Sequence, residues 1–189
     1  MTKKPRPTVT AEDRLPGDPT RAQLVERMIR VNQAGEYGAA RIYAGQLAVL
    51  GRSRSAPVLR EMAAQEAEHL ASFTRLVADR RVRPTALSPV WHLAGFALGA
   101  ATALLGERAA MACTEAVEEV IDEHYARQSA ALGDDEAELR TLIERARADE
   151  IAHRDRARAE GAAEAPGHDA LSSAIKSASR LAIWLSTRL

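Results

Sequence analysis

Two helical segments of this chain carry a glutamate three residues before a histidine: Glu66 with His69, and Glu150 with His153. A separation of three puts both side chains on one helical face. In the first segment that face also holds Leu59, Met62, Leu70 and Phe73; in the second it holds Ile143, Ala146 and Ala157. Both pairs therefore point at least partly inward. A buried carboxylate is costly unless a positive group compensates it. Whatever fold this chain adopts must bring such a group to the core.

Each pair follows a helix with an inward carboxylate of its own. Glu36 sits in "RVNQAGEYGAARIYAGQ", flanked by Gly35 and Gly38, with Ile29, Ala40, Tyr43 and Leu47 one or two turns away. The corresponding stretch before Glu150 offers Glu115, Glu118, Glu119 and Glu123. Glu118 shares a side with Met111, Thr114, Ile121 and Tyr125, whereas Glu119 faces Ala112, Glu115, Asp122 and Ala126, a wetter set. Face counting selects Glu118 and keeps Glu115 in reserve. The order is then Glu, Glu-x-x-His, a crossover, Glu, Glu-x-x-His, and the interval from Glu36 to Glu66 nearly equals that from Glu118 to Glu150. Four carboxylates and two imidazoles converging in a helical bundle describe a carboxylate-bridged dinuclear metal site. Oxygen and imidazole donors without thiolate suit iron or manganese. Metal cations would neutralise Glu36, and the glycines beside it would let a helix or a substrate approach.

The rest of the chain supplies the helices. Six are expected: one opened by Asp18-Pro19 and ending near Gly51, then Ser55 to Arg80, Ala86 to Gly106, Glu107 to Leu132, a fifth capped by Asp134 or Asp135 and running to Glu160, and a last one capped by Asp169. Alanine is abundant and aromatics are few, which suits packed helices. The expected fold is all-α: a ferritin-like four-helix bundle with an apolar crossover helix and a C-terminal amphipathic helix, one domain over 18–189 after a flexible segment over 1–17. With 26 basic and 26 acidic residues there is no global bias toward nucleic acid. The lone Cys113 excludes an internal disulfide and reads as a small core residue. MTKKPRPTVTAEDR lacks the apolar run of a secretory signal.

The stretches "RVNQAGEYGAARIYAGQLAVLG", "QEAEHLASF", "RVRPTALSPVWHLAGFALGAATALLG", "MACTEAVEEVIDEHY", "DEIAHRD" and "RLAIWLSTRL" resemble the demethoxyubiquinone hydroxylases of ubiquinone biosynthesis, over nearly the whole chain beyond about Gln23. The resemblance implies a di-iron monooxygenase acting on a polyprenylated quinone. It carries the metal ligands onto Glu36, Glu66, His69, Glu118, Glu150 and His153, and favours Glu118 over Glu115. Asn32-Gln33 departs from the Asp-His expected there, which touches only the surroundings of the ligands. NADH is implied as electron donor. The resemblance also implies a protein attached peripherally to a membrane, on the cytoplasmic face of a bacterial inner membrane, and leaves room for a lipid-binding partner protein and a homo-oligomer.

Three further features carry expectations. His124 and Tyr125 lie near the metal-facing side as catalytic groups that orient a ligand or relay protons. The segment Ala86 to Gly106 has no Asp, Glu, Lys or Arg, but Pro89, Gly95, Gly99 and Gly106 interrupt it, so a crossover lying in the membrane interface fits better than a span. Arg80, Arg81 and Arg83 precede it, where anionic lipid would meet them. On the last helix Lys176, Arg180, Trp184 and Arg188 recur every four residues; with Arg27 they form a candidate nicotinamide-cofactor surface, though there is no Rossmann glycine fingerprint. Neither His92 nor His168 is assigned to metal. Two other functions share the ligand pattern: a ferritin-like di-metal oxidase or peroxidase, and a non-enzymatic membrane-surface scaffold.

Overall fold

The structure is a computed structural model that describes Leu15 and residues 17–189; the rest of the expected flexible leader lies outside the described residues. Among the described residues it is all-helical: α1 (Arg21–Leu50), α2 (Ala56–Asp79), α3 (Ser88–Leu104), α4 (Glu107–Ala131), α5 (Ala137–Ala159) and α6 (His168–Ser186). α1 packs against α2 and α4 against α5, each pair joined by a short connection. These two hairpins make the bundle, and α3 crosses between them.

Helix bodies fall where the apolar spacing puts them, but three caps differ. Thr20, not Asp18, caps α1: its hydroxyl accepts from Gln23 N, and the Gln23 side chain accepts from Thr20 N. This reciprocal capping box satisfies two donors at once, which Asp18 followed by Pro19 does not. Before α5, Asp134–Glu136 wind into a 3-10 turn, and neither aspartate caps the helix. At α6, Gly167 turns the chain in the left-handed region at φ 69°, and Asp169 lies inside the first turn.

α3 lies along α1, and glycine sets the distance. A Cβ on Gly99 would strike the Ile42 carbonyl, and one on Gly45 the Phe96 carbonyl. One on Gly95 would come within 2.9 Å of Gly38 O. Gly35 and Gly38 instead face open space. No helix is long and apolar enough to cross a membrane among the described residues.

Two apolar layers close the bundle interior. One gathers Ile29, Phe73, Tyr125, Leu139 and Ile143; the other gathers Tyr43, Leu59, Met62, Met111 and Ala157. The inward acids lie between them. α6 packs on α4 through Ile175 and through ion pairs: Lys176–Glu119 at 2.9 Å and Arg180–Glu123 at 3.3 Å.

Candidate metal centre

The bundle brings all six sequence-selected acids and imidazoles together. Glu36, Glu66, His69 and Glu150 form one group, and Glu66, Glu118, Glu150 and His153 another; within each, one donor atom per residue lies within 4.8 Å of the others. Glu66 and Glu150 belong to both groups. Each shared acid comes from the hairpin partner of a helix that carries a lone one, α2 beside α1 and α5 beside α4.

The electrostatics are compatible with a cation site. Glu66, Glu118 and Glu150 are at most 1 % exposed. Burial first, then mutual repulsion centred on Glu150, holds the Glu66 and Glu118 carboxyls well above the ordinary range; burial also raises Glu150. Both oxygens of Glu66 and Glu150, one oxygen of Glu118 and the Nδ1 atoms of His69 and His153 make no hydrogen bond. Orphaned buried polar atoms are rare because each forfeits its hydration. Here they share a chemistry, all oxygen or imidazole nitrogen, and point at one another. His69 Nδ1 lies 3.3 Å from Glu150 Oε1 and 3.6 Å from Glu36 Oε2; His153 Nδ1 lies 3.2 Å from Glu66 Oε1. Burial pulls the His69 imidazole down, but the adjacent Glu150 and Glu36 carboxylates prevail and push it up to about 12. These residues fit a pair of divalent cations sharing Glu66 and Glu150.

Outer partners hold the donors in a reciprocal pattern. Tyr43 of α1 donates to Glu118 of α4 at 2.9 Å, and Tyr125 of α4 donates to Glu36 of α1. Burial holds both phenols above their usual range, so they remain donors. His69 Nε2 meets Asp149 Oδ2 at 3.0 Å, and His153 Nε2 meets Gln65 Oε1 at 2.7 Å. Asp149 and Gln65 each stand one residue before the glutamate of one motif and hold the histidine of the other. The reading from sequence did not single out Tyr43, Asp149 or Gln65 for these roles. A signal was present: each tyrosine follows a lone glutamate by seven residues, two turns along the same face.

The two expected catalytic groups separate. Tyr125 reaches Glu36, but His124, one residue earlier and about 100° around the helix, turns away from the acids. It bonds Gln128 at 2.8 Å and lines an outer hollow with Arg27, Met28, Arg127 and Thr187; burial and Arg127 lower it to about 4. Gln128 also exchanges two hydrogen bonds with Asn32, at 2.8 and 2.9 Å, so the departing residue is paired. Glu115 bonds Arg158 and His168 outside the acid cluster. Of the basic stripe, Lys176 and Arg180 are engaged by α4, while Arg188 stacks on Trp184 at 4.2 Å. Cys113 is fully buried, and its thiol is pushed up to about 12 by burial.

An apolar cavity of about 170 Å³ opens between α1, α3, α4 and α6, and none of the six clustered acids and imidazoles is among its walls. Gly35, Gly38, Ala39, Trp91, Leu98 and Ile183 are among its walls.

The model of the family described as ubiquinone biosynthesis protein COQ7 matches residues 23–186. The chain belongs to that family. It is 62 % identical over 181 residues to a 3-demethoxyubiquinol 3-hydroxylase of Rhodospirillum rubrum, covering 95 % of this chain and 85 % of that one. It is 50 % identical to the human mitochondrial NADPH-dependent 3-demethoxyubiquinone 3-hydroxylase, over 87 % of this chain and 78 % of that one. A 5-demethoxyubiquinone hydroxylase of Saccharomyces cerevisiae mitochondria is 40 % identical over 89 % of this chain and 79 % of its own length. Membership in the COQ7 family agrees with the resemblance drawn from the quoted stretches.

Proposed function

We propose that this protein hydroxylates the ring of a demethoxyubiquinone with molecular oxygen at a di-iron centre, in ubiquinone biosynthesis. The observation that carries the reading is the pair of four-residue nests sharing Glu66 and Glu150, whose buried carboxylate oxygens accept no hydrogen bond. Glu36, Glu66, His69 and Glu150 would hold one iron, and Glu66, Glu118, Glu150 and His153 the other. Bound irons would supply the redox chemistry of oxygen activation.

The chain's own side chains do the rest. Tyr43 and Tyr125 keep their protons on Oη and donate them to Glu118 and Glu36, fixing the two unshared carboxylates. Asp149 and Gln65 fix the imidazole planes. The cavity walls, mostly glycine, alanine and aliphatic carbon with Trp91, match a flat ring with an isoprenoid tail, and Gly35 and Gly38 leave room on the α1 wall. The apolar layers on either side exclude bulk water, which limits loss of reduced oxygen.

The substrate reaches the cavity from a lipid surface, to which the protein attaches peripherally. Val90, Leu93, Leu104 and Leu105 of the crossover are half to three-quarters exposed, an apolar face without cover among the described residues. The localisation proposed is the cytoplasmic face of a bacterial inner membrane. The electron donor is NADH, a reduced nicotinamide like that in the names of the NADPH-dependent relatives, and its docking surface is Arg27 with the Trp184–Arg188 stack. Incubation of iron-loaded protein with a short-tailed demethoxyubiquinone, NADH and air, followed by mass spectrometry, tests the reading. A product heavier by one oxygen atom supports it. Bound iron with NADH consumed and the quinone unchanged would favour an oxidase.

A further inference from the structure

The two nests are near copies, yet they differ behind the imidazoles. In both, a buried tyrosine donates to the unshared carboxylate. In both, the histidine presents Nδ1 inward and Nε2 outward. At His69, however, the Nε2 partner is the carboxylate of Asp149; at His153 it is the carboxamide of Gln65. A carboxylate behind an imidazole raises its basicity as a ligand, whereas a neutral amide orients the ring without adding charge. The Asp149 side chain is 47 % exposed, so its charge needs little burial.

We propose that Asp149 is a positioning residue that makes the two metal positions unequal: the nest of Glu36 and His69 binds a divalent cation more tightly than the nest of Glu118 and His153. The inequality comes from the Asp149 charge, not from the hydrogen bond that Gln65 also makes. It rests on the dinuclear reading and names which half fills first. The order of filling follows from this chain's residues at 65 and 149.

An anaerobic cobalt(II) titration of the full chain, followed by calorimetry and by the visible cobalt absorption, tests it. Wild type takes up two equivalents in two resolved steps. D149N keeps an acceptor at the same place and removes the charge; it weakens the tighter step by roughly tenfold to a hundredfold and leaves the other within about threefold. Q65E adds the missing charge, strengthens the weaker step and draws the two together. Far-ultraviolet circular dichroism confirms that each variant is helical, and Q65E carries the test if D149N does not fold. Equal steps in wild type, or D149N shifting both alike, or Q65E leaving the weaker step unchanged, would overturn the inequality while leaving two sites. Uptake of fewer than two equivalents by wild type would overturn the dinuclear reading and the inequality with it.

Discussion

Glu66 and Glu150 differ from Glu36 and Glu118 in one respect: they belong to both nests. In the proposed dinuclear site, replacing a shared acid would strip donors from both cations, and replacing an unshared one from a single cation. Glu66→Ala or Glu150→Ala should leave less than one iron per chain and no measurable turnover, whereas Glu36→Ala should retain close to one, as read by metal analysis after anaerobic reconstitution. Tyr125→Phe removes the donor to Glu36 and should weaken binding by roughly tenfold to a hundredfold, in line with the ~1.5–3 kcal/mol of a hydrogen bond to a charged group. Tyr43→Phe should do the same to the other nest, and equal affinities for wild type and both variants would count against the role given to the phenols. The six clustered donors are legible in the sequence because helical spacing of three places Glu and His together, and because the motif occurs twice. Their outer partners are not. Asp149 and Gln65 reach across to the other motif, so no spacing within one helix reveals them. His124 and Tyr125 are adjacent in sequence, and only the rotation of α4 tells which one reaches the acids.

Among the elements, α3 is held by contacts of backbone on backbone. Gly99→Ala should force α3 away from Ile42 and cost about 1–3 kcal/mol by overpacking, seen as a lower melting temperature. Gly35→Ala meets open space in the middle of α1 and should raise the melting temperature slightly, by the ~0.5–1 kcal/mol of a mid-helix glycine, while raising KM for the quinone, since it narrows the cavity. Equal melting losses in the two variants would contradict this division. The crossover's outward face makes a separate prediction. Phe96 lies beneath Arg41 and Leu98 lines the cavity, so neither is the natural membrane contact. Replacing Leu93, Leu104 and Leu105 by serine should reduce cosedimentation with anionic vesicles several-fold while helicity is kept; unchanged binding would move the membrane contact elsewhere. Hydropathy marks this segment as apolar throughout and cannot say which residues face inward. The positions where glycine meets Ile42 and Phe96 decide that. The α1 cap is legible after all: Thr20 and Gln23 stand at the Thr-x-x-Gln spacing of the capping box they form in place of an Asp18 cap.

For the molecule as a whole, folding places four mutually repelling acids in one layer, where bound cations would offset them. In the metal-free protein, burial holds Glu66, Glu118 and Glu150 above the ordinary carboxylate value of 4.5. The folded chain then keeps protons that the unfolded chain releases, so this stability is present at acid pH and is lost as pH rises through the raised values. His69, held at about 12, has the same sign: its contribution is complete below its ordinary 6.5 and fades toward about 12. The metal-free protein should therefore melt at lower temperature near pH 8.5 than near pH 6, and iron should remove or reverse the difference, because cations favour deprotonated ligands. A metal-free protein more stable at the higher pH would contradict the account. The bundle itself is legible from helix lengths and apolar spacing; the cavity is not, because it is lined by four helices distant in sequence and depends on how closely α3 approaches α1. The central claim, that oxygen gas supplies the new ring hydroxyl at these six residues, is tested most directly with isotope-labelled oxygen. Iron-loaded protein turning over a demethoxyubiquinone under labelled oxygen should install one labelled atom, and Glu150→Ala should install none. A hydroxyl carrying oxygen from water, or NADH consumed with peroxide as the only product, would contradict it.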